Sequence, residues 1–432
     1  MANSLNQNVN DKLMRAFIPA FESQRSLSKT VSTNAKNLVE GFDETTGGTR
    51  GAVRMKRPLQ FKPQRTADGD FTGKEMNPLN VGTVPAEVGD YCTVFVSVTD
   101  VERALESADV AQTMNEIIAP AAEDMCNEIE SELGNRMMLE AAHTSGDPTK
   151  AITAWDDIAK AGTLLKSIGL PGGSKFCAIN NFDELALAGE QKGLAVNPEV
   201  GNAVSSATIA SRFAGFDSVF TSDNMPSFVS GDINTGITVK SAPVQTYDSI
   251  KGDYRQQLVL TATDGAGKVI KAGTTLIIQG VNLVHLRNHK KIRGVGGAFL
   301  PLTVSVLEDA TFSGTDVTVN VSGAAVFEDG VNGAYNTIDT KIVPGAAVVI
   351  KEEASKDYGP GLAYHQAFYG MGSIKLAKLD ATDSSFTTKD GLNFRVTKFS
   401  DGTANAHKIR IDFRPTFACL NPFFASKVYG NV

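Results

Sequence analysis

The sequence predicts an α+β chain of several domains, on three observations. One long helical pattern, residues 110–143, stands alone among segments that otherwise read as strands and turns. Short alternating runs between residues 227 and 344, separated by Gly, Asp and Asn turns, describe a small all-β unit, most economically a barrel. Alternation returns near the C-terminus in LNFRVTKFSDG and HKIRIDFRPTFACLNPFFA, an expected antiparallel pair under or beside the long helix.

At 432 residues the chain can hold two or three domains with sizeable cores. A net charge of -7 argues against a sequence-independent DNA binder, which would carry a basic face. No apolar run approaches the roughly 20 residues of a membrane span, and the polar start MANSLNQNVNDK does not read as a signal peptide. Cys92, Cys126, Cys177 and Cys419 are far apart and form no CxxC pair. That fits free thiols in a reducing cytoplasm, with long-range disulfides left open by spacing alone.

Residues 1–36 begin with an amphipathic pattern, Val9, Leu13, Met14, Phe17, Ile18 and Phe21, interrupted by Pro19. So short a segment cannot bury its own apolar stripe, so it must dock on its own domain or on a neighbouring chain. Residues 41–90 are dense in Gly, Pro, Asp and Asn, with brief strand-like pieces such as VRMKRPLQF, and read as a long hairpin or extended arm. Arg50, Arg54, Lys56, Arg57, Lys62 and Arg65 cluster there with no acid between Thr45 and Ala67. A solvated surface is the ordinary explanation of such a run; nucleic-acid contact has only Phe61 as aromatic support.

A strand follows at YCTVFVSVT (91–99), then the helical piece VERALES and the long helix. In that helix Met114, Ile117, Ala121, Met125, Ile129, Leu133 and Met137 recur in steps of three and four. A step of four drifts around a helix of 3.6 residues per turn, so the apolar face winds and should meet different partners along its length. Pro120 either opens this helix or bends it. Glu116, Glu123, Asp124, Glu128, Glu130, Glu132 and Glu140 form the expected exposed face, opposed only by Arg136. Residues 154–168 have helical spacing stopped by Gly169 and Pro171, followed by the strand KFCAIN and the short helix FDELALA, together a small α/β portion.

Catalytic patterns are missing: no GxGxxG after a strand, no GxxxxGK[ST], no HExxH, no GxSxG. His285 and His289 have metal-ligand spacing but sit among Arg287, Lys290, Lys291 and Arg293, where positive charge opposes a cation, so a basic surface loop is expected. Asp156 and Asp157 are adjacent and read as favourable charge at a helix N-terminus. Residue reading therefore assigns no catalytic residue, cofactor or metal. It leaves open an enzyme with an unrecognised site in the α/β part, residues 150–226, or a decoration or adhesin-type β-protein.

Taken in order, the segments acquire a specific resemblance. KVIKAGTTLIIQGVNLVHLRNHKKI and GAFLPLTVSVLEDATFSGTDVTVNVSG resemble the insertion domain of major capsid (coat) proteins from short-tailed lambdoid bacteriophages. FRVTKFSDGTANAHKIRIDFRPTFACLNPFFASKVYG is similar to that family's C-terminal peripheral strands, EIIAPAAEDMCNEIESELGNRMM occupies the place of its spine helix, and FIPAFESQRSLSKTV matches its N-terminal arm. The resemblance implies the tailed-phage and herpesvirus capsid fold: N-terminal arm 1–40, extended loop 41–90, peripheral domain with spine helix 91–150, axial domain 151–226 and 346–385, inserted β-barrel 227–345, and peripheral strands 386–432.

The resemblance further implies a structural protein whose hexamers and pentamers close into an icosahedral shell around double-stranded DNA. Assembly would start from a procapsid in the bacterial host cytoplasm, with a scaffolding protein and a portal protein as partners and no membrane. Lack of a catalytic constellation then has a reason, and mild acidity suits a shell that holds DNA without sequence-specific binding. Within this frame the basic arm (Arg50, Arg54, Lys56, Arg57, Lys62, Arg65) is expected to pair with Glu128 and Glu132 of a neighbour's spine. Asp248, Lys251 and Asp253, in a short loop at 247–254, are the candidates for links between capsomers. Asp11 and Glu22 are the candidates for scaffold contact.

Overall fold

In a computed structural model the described residues are 5–32, 53–56, 59–79, 81–99, 110–191, 198–210, 212–379, 383–403 and 406–431. They fall into two compact units, one of residues 1–55, 85–134 and 369–418, the other of residues 56–84, 135–368 and 419–432. The helical piece expected at VERALES lies outside the described residues.

The first unit is built on a four-stranded antiparallel sheet, Ser384–Thr387, Asn393–Asp401, Ala406–Phe413 and Cys92–Thr99, in that spatial order. One face buries Phe394, Val396, Ile411 and Phe413. The N-terminal helix Leu5–Gln24 packs on that face: Phe17 and Phe21 lie 5.4 and 5.1 Å, ring to ring, from Phe394. Of the two docking options for this helix, Leu13, Met14, Phe17 and Phe21 take the first, burial in their own unit. Pro19 does not interrupt the helix; it sits exposed inside it. A proline removes one internal hydrogen bond, and fully burying Phe17 and Phe21 beside it offsets that loss by about 2–3 kcal/mol each.

The spine helix runs Val110–Glu140 with Pro120 inside it, so Pro120 does not open it. Ile118, Ala122, Met125, Ile129, Leu133, Met137 and Met138 are buried, as the winding pattern requires. Residues up to Gly134 belong to the first unit and residues from Asn135 to the second. Two of its acids are not on the solvent face. Glu130 is 0 % exposed and Glu140 is 6 % exposed. Sequence spacing puts both on the polar side, but each is covered because it satisfies backbone or guanidinium donors.

The second unit contains a five-stranded sheet ordered His143–Ser145, Ala425–Val428, Gly361–His365, Lys175–Ile179, Ser218–Thr221. The outer pairings are parallel and the inner ones antiparallel. Helix Trp155–Ile168 lays Ile158, Ala161 and Leu165 against Cys177, Ile179, Ala363 and Val428. Its N-terminus is held by buried Asp157, whose carboxylate accepts the N–H groups of Thr153 and Ala154 at 3.0 Å each. Gly169, at φ 98°, takes the left-handed turn that ends it.

The expected barrel is present and closed, with strands ordered Thr275–Asn282, Pro301–Val306, Asp316–Ser322, Arg255–Ala262, Ile237–Ser241, Ala347–Val349. Leu258, Leu260, Leu276, Ile278, Val304, Val306, Val319 and Val321 fill it, the inward half of each alternating run. Its segments fall between the third and fourth sheet strands in chain order, Ser218–Thr221 and Gly361–His365, which makes it an insertion.

The barrel and the five-stranded sheet are joined by polar contacts as well as apolar ones. Lys427, fully buried on strand Ala425–Val428, donates to the Gly273 carbonyl and to Ser305 Oγ at 2.8 Å. Burial pushes its amine down to about 8, with Glu352 opposing the shift. His143 Nδ1 lies 3.0 Å from Thr303 Oγ1, and Thr144 bonds Thr275 at 2.9 Å. Burial pushes His143 down to about 4. All four cysteines are free, which resolves the disulfide question left open by their spacing.

Candidate assembly interfaces

The spine helix presents acid selectively. Asp124 and Glu128 are exposed, and Glu123 and Glu132 are half-buried. Glu128 and Glu132 are near enough to Cys92 to add to the effect of burial, which pushes that thiol up to about 11. Glu130, by contrast, reaches inward as a clamp. Its carboxylate accepts the Leu27 N–H at 2.7 Å, the Ser28 N–H at 3.2 Å and the Ser26 hydroxyl at 3.2 Å. These donors open the 3-10 turn Leu27–Lys29, whose first N–H groups have no helical partner. Arg25, also buried, closes the same corner by donating to Ser28 and to Asp390, the latter at 2.6 Å.

The opposite face of the four-stranded sheet carries an acid–base network beside the stacked rings of Phe95 and Phe399. Asp412, 0 % exposed, accepts from Thr93 at 2.7 Å, Arg395 at 2.7 Å and Arg410 at 2.6 Å. Burial pushes its carboxyl up, but the hydrogen bonds from Thr93, Arg395 and Arg410 outweigh it and leave the group below its ordinary value.

The extended arm comprises strand Val53–Lys56, irregular residues 59–79 and strand Thr83–Val88. Arg50 and Arg57 lie outside the described residues, and for Arg54 and Lys56 only the strand backbone is described. Lys62 donates to the Gly330 carbonyl at 2.8 Å and Gln60 N–H to the Tyr335 hydroxyl at 3.0 Å, both within the second unit. Arg65 is exposed. The charge count did not suggest how apolar this arm is: Leu59, Phe61, Phe71, Met76 and Leu79 are all exposed. They follow no helical or strand period, so periodicity could not find them; an unusual density of large apolar residues in a Gly/Pro-rich stretch was the available signal.

In the 247–254 segment a short helical turn, Tyr247–Ile250, is pinned to the barrel. Tyr247, Ile250 and Tyr254 are buried, and Tyr247 stacks on Tyr335 with ring centroids 3.7 Å apart. Asp248 and Lys251 are brought together as an ion pair, and Asp253 accepts the Arg255 N–H at 3.0 Å. Asp11 sits on the N-terminal helix with its side chain outside the described set; Glu22, near the helix end, is half-buried. His285 Nδ1 accepts the N–H groups of Arg287 and Asn288 at 3.2 Å each, within a turn and not on a helix. Among the described residues no group of three metal-ligating side chains converges, and no helix is long and apolar enough to cross a membrane.

Comparison with known proteins places these surfaces in context. The family described as P22 coat protein, gene protein 5, matches residues 1–427. The major capsid protein of Acyrthosiphon pisum secondary endosymbiont phage 1 is 35% identical over 435 residues, covering 100% of each chain. Among solved structures, the capsid of Cyanophage P-SCSP1u aligns at 12% identity over 89% of this chain and 85% of that one, with a TM-score of 0.40. A structure from Mycobacterium phage Che8 aligns at 9% identity over 94% and 90%, with a TM-score of 0.43.

Proposed function

The chain belongs to the P22 coat protein family and is a phage major capsid protein, and on that premise we propose that its copies close as hexamers and pentamers into an icosahedral shell around double-stranded DNA. The observation that carries the proposal is the match over essentially the whole length, arm and insertion included. Assembly would proceed in the bacterial cytoplasm from a scaffolded procapsid that incorporates a portal protein. Division into arm, extended loop, peripheral, axial and inserted barrel domains, at the boundaries given above, is part of the same reading. The enzyme alternative for residues 150–226 gains no support from family membership.

Three contacts complete the proposal. The basic arm of one copy meets the acidic spine surface of the next at Glu128 and Glu132. Each exposed pair would contribute only about 0–1 kcal/mol, but repetition around a closed shell multiplies it. Asp248 and Lys251 would bridge capsomers by exchanging their mutual ion pair for partners on another copy, with Asp253 alongside. Asp11 and Glu22 would face the scaffold. Because Phe17 and Phe21 belong to their own unit's core, deleting residues 1–25 would uncover Phe394 and Phe413. Glu22→Lys is therefore the cleaner probe of scaffold recruitment.

The decisive experiment is electron microscopy and sedimentation of the full chain coexpressed with the phage's other head genes. Hollow shells are expected; a small discrete oligomer would overturn the reading. In the same assay Arg54, Lys56 and Arg57 changed to Glu should lower shell yield, and adding Glu128→Lys with Glu132→Lys should partly restore it. Normal yield from the first variant would remove the arm–spine pairing.

A further inference from the structure

Two lysines of the second unit are brought to one point by three separate elements. Helix Trp155–Ile168 carries Lys166 on its last turn, and strand Lys175–Ile179 begins with Lys175. The third element is a tight reversal, Phe213 to Phe216, closed by the Phe216 N–H on the Phe213 carbonyl at 2.9 Å. Both of its central residues have positive φ, Ala214 at 51° and Gly215 at 84°. Glycine adopts such a conformation readily, whereas alanine adopts it at a cost and only where its surroundings hold it there. The turn is seated on the helix at Gly162, where a Cβ would lie 3.0 Å from the Phe216 ring and 3.2 Å from the Ala214 carbonyl oxygen. Lys166 stands one helical turn further on, beside the seated reversal.

Gly215 is where the cations meet. Lys175 Nζ donates to its carbonyl at 2.5 Å, and Lys166 Nζ lies 3.1 Å from where a Cβ on Gly215 would sit. The buried Phe216 ring walls the corner, with Lys175 Nζ 5.8 Å from its centroid. Among the described residues the acid that acts on Lys175 is Asp217, whose carboxylate accepts the Lys175 backbone N–H at 2.9 Å. His365, the cross-strand partner of Lys175, is buried, and its Nδ1 accepts the Ala367 N–H at 3.0 Å. Burial pushes the Lys175 amine and the His365 imidazole below their ordinary values; Lys166 adds to the effect on the amine and Asp217 opposes it. Two cations thus stand against one acid. Each ammonium has three N–H donors, and the Gly215 carbonyl takes only one of the six. Gly172 and Gly173, in the loop leading into Lys175, are exposed, so no side chain from them covers the approach.

We propose that Lys166 and Lys175 form a phosphate-binding site over the Phe213–Phe216 turn, one tetrahedral oxyanion bridging the two ammonium groups. Like charges held at one carbonyl repel each other, and an anion with several oxygens relieves that repulsion while taking free donors from both lysines. The strained turn supplies the rigidity: it fixes the carbonyl that holds Lys175 in place before the anion arrives. The ligand chemistry is that of a phosphate group, supplied by a nucleic-acid backbone or by free inorganic phosphate. Lysines act on phosphate as point charges and read no base edge, so a backbone bound here would be held without regard to sequence. The site goes beyond the shell-forming reading and does not depend on it, because none of the assembly contacts above uses these residues.

The test is lysine acetylation of the purified full chain, with modification at each lysine read by peptide mass spectrometry. Sodium phosphate, compared with sodium chloride of equal ionic strength, should slow acetylation of Lys166 and Lys175. Protection should follow 1 + [L]/Kd, reaching about fivefold at about four times Kd. Lys150 and Lys160, both exposed, are the controls and should be unaffected. Lys166→Gln changes an exposed side chain, and a circular dichroism melt checks that the variant folds. In it phosphate should no longer protect Lys175, whereas Lys160→Gln, on the same helix, should leave the protection intact. A short DNA duplex separates the two sources. Protection by the duplex, lost with rising salt at a log–log slope of about 0.9 per phosphate contact, assigns the backbone. Protection by inorganic phosphate and not by the duplex assigns the free ion. No protection from either probe, equal protection of Lys150 and Lys160, or a still-protected Lys175 in the folded Lys166→Gln chain overturns the site. Shell formation is not read in this assay, so failure of the site and failure of the shell-forming reading remain distinct.

Discussion

Replacing Glu130 with Ala should loosen the N-terminal segment from the unit it packs into. The carboxylate is fully buried and is the acceptor for the backbone N–H groups of Leu27 and Ser28. Alanine leaves both donors without that acceptor, at about 1–3 kcal/mol each. The Ser26 hydroxyl, only half-buried, can turn to water and adds little. The sum, about 2–6 kcal/mol, is a large share of the 5–15 kcal/mol or so that holds a typical domain together. Local release of the turn is an outlet that caps the loss, so the expected effect lies near the lower end and is concentrated in residues 25–32. Amide hydrogen exchange read at Leu27 and Ser28 should accelerate at least about tenfold, the equivalent of 1.4 kcal/mol. Glu130→Gln preserves shape and one acceptor oxygen and should fall between. Glu128→Ala, exposed on the same helix, should stay within about 0.5 kcal/mol of the parent. Parent-like exchange at Leu27 and Ser28 in the Glu130→Ala chain would refute the clamp.

Two further perturbations probe the seat of the barrel. His143 is pushed down to about 4 by burial, so between its unfolded value near 6.5 and that pH the unfolded chain binds the extra proton. Stability from this group should therefore be complete above about pH 6.5 and fall by about 3 kcal/mol on acidification to pH 4. Urea titrations at stepped pH should show that slope, and His143→Gln should flatten it; an equal slope in both chains would discount the histidine. Lys427→Ala removes the donor to the Gly273 carbonyl and Ser305 and takes from buried Glu352 the larger of two cationic influences, a loss of about 1–3 kcal/mol for each buried acceptor left unsatisfied. The melt of the purified chain reports it, and a shift of less than about 1 kcal/mol would show that the buried amine contributes little.

Much of this molecule is readable from pattern because its elements obey a local period. The alternating runs LTV and VTVNV place their apolar residues inside a closed barrel, and the three-and-four spacing of the spine helix marks the side chains that are buried. Gly169 ends its helix where a left-handed residue was required. Reading by local rules went astray where a single long-range contact prevailed. Pro19 looks like a break, yet the helix Leu5–Gln24 continues through it because Phe17 and Phe21 are buried on either side; of the two readings of Pro120, opening the helix or bending it, its place inside Val110–Glu140 removes the first. Glu130 and Glu140 look like solvated acids, yet one caps a turn more than a hundred residues away and the other meets Arg255 and Ser322.

The candidate surfaces divide in the same way. Charge runs in the arm and spine are visible in sequence because charge is a property of each residue alone. That Asp248 and Lys251 pair with one another, or that Phe95 and Phe399 stack beside Lys408, depends on turn geometry and strand register. By itself, then, the sequence determined the elements, the apolar stripes, the inserted barrel and, through resemblance, the family. Only the tertiary structure decided which polar groups are hidden and which apolar ones stay in water. The reason is physical: burying a carboxylate or exposing a phenyl ring is unfavourable locally. Either is sustained only by a partner that folding, or assembly, brings from elsewhere.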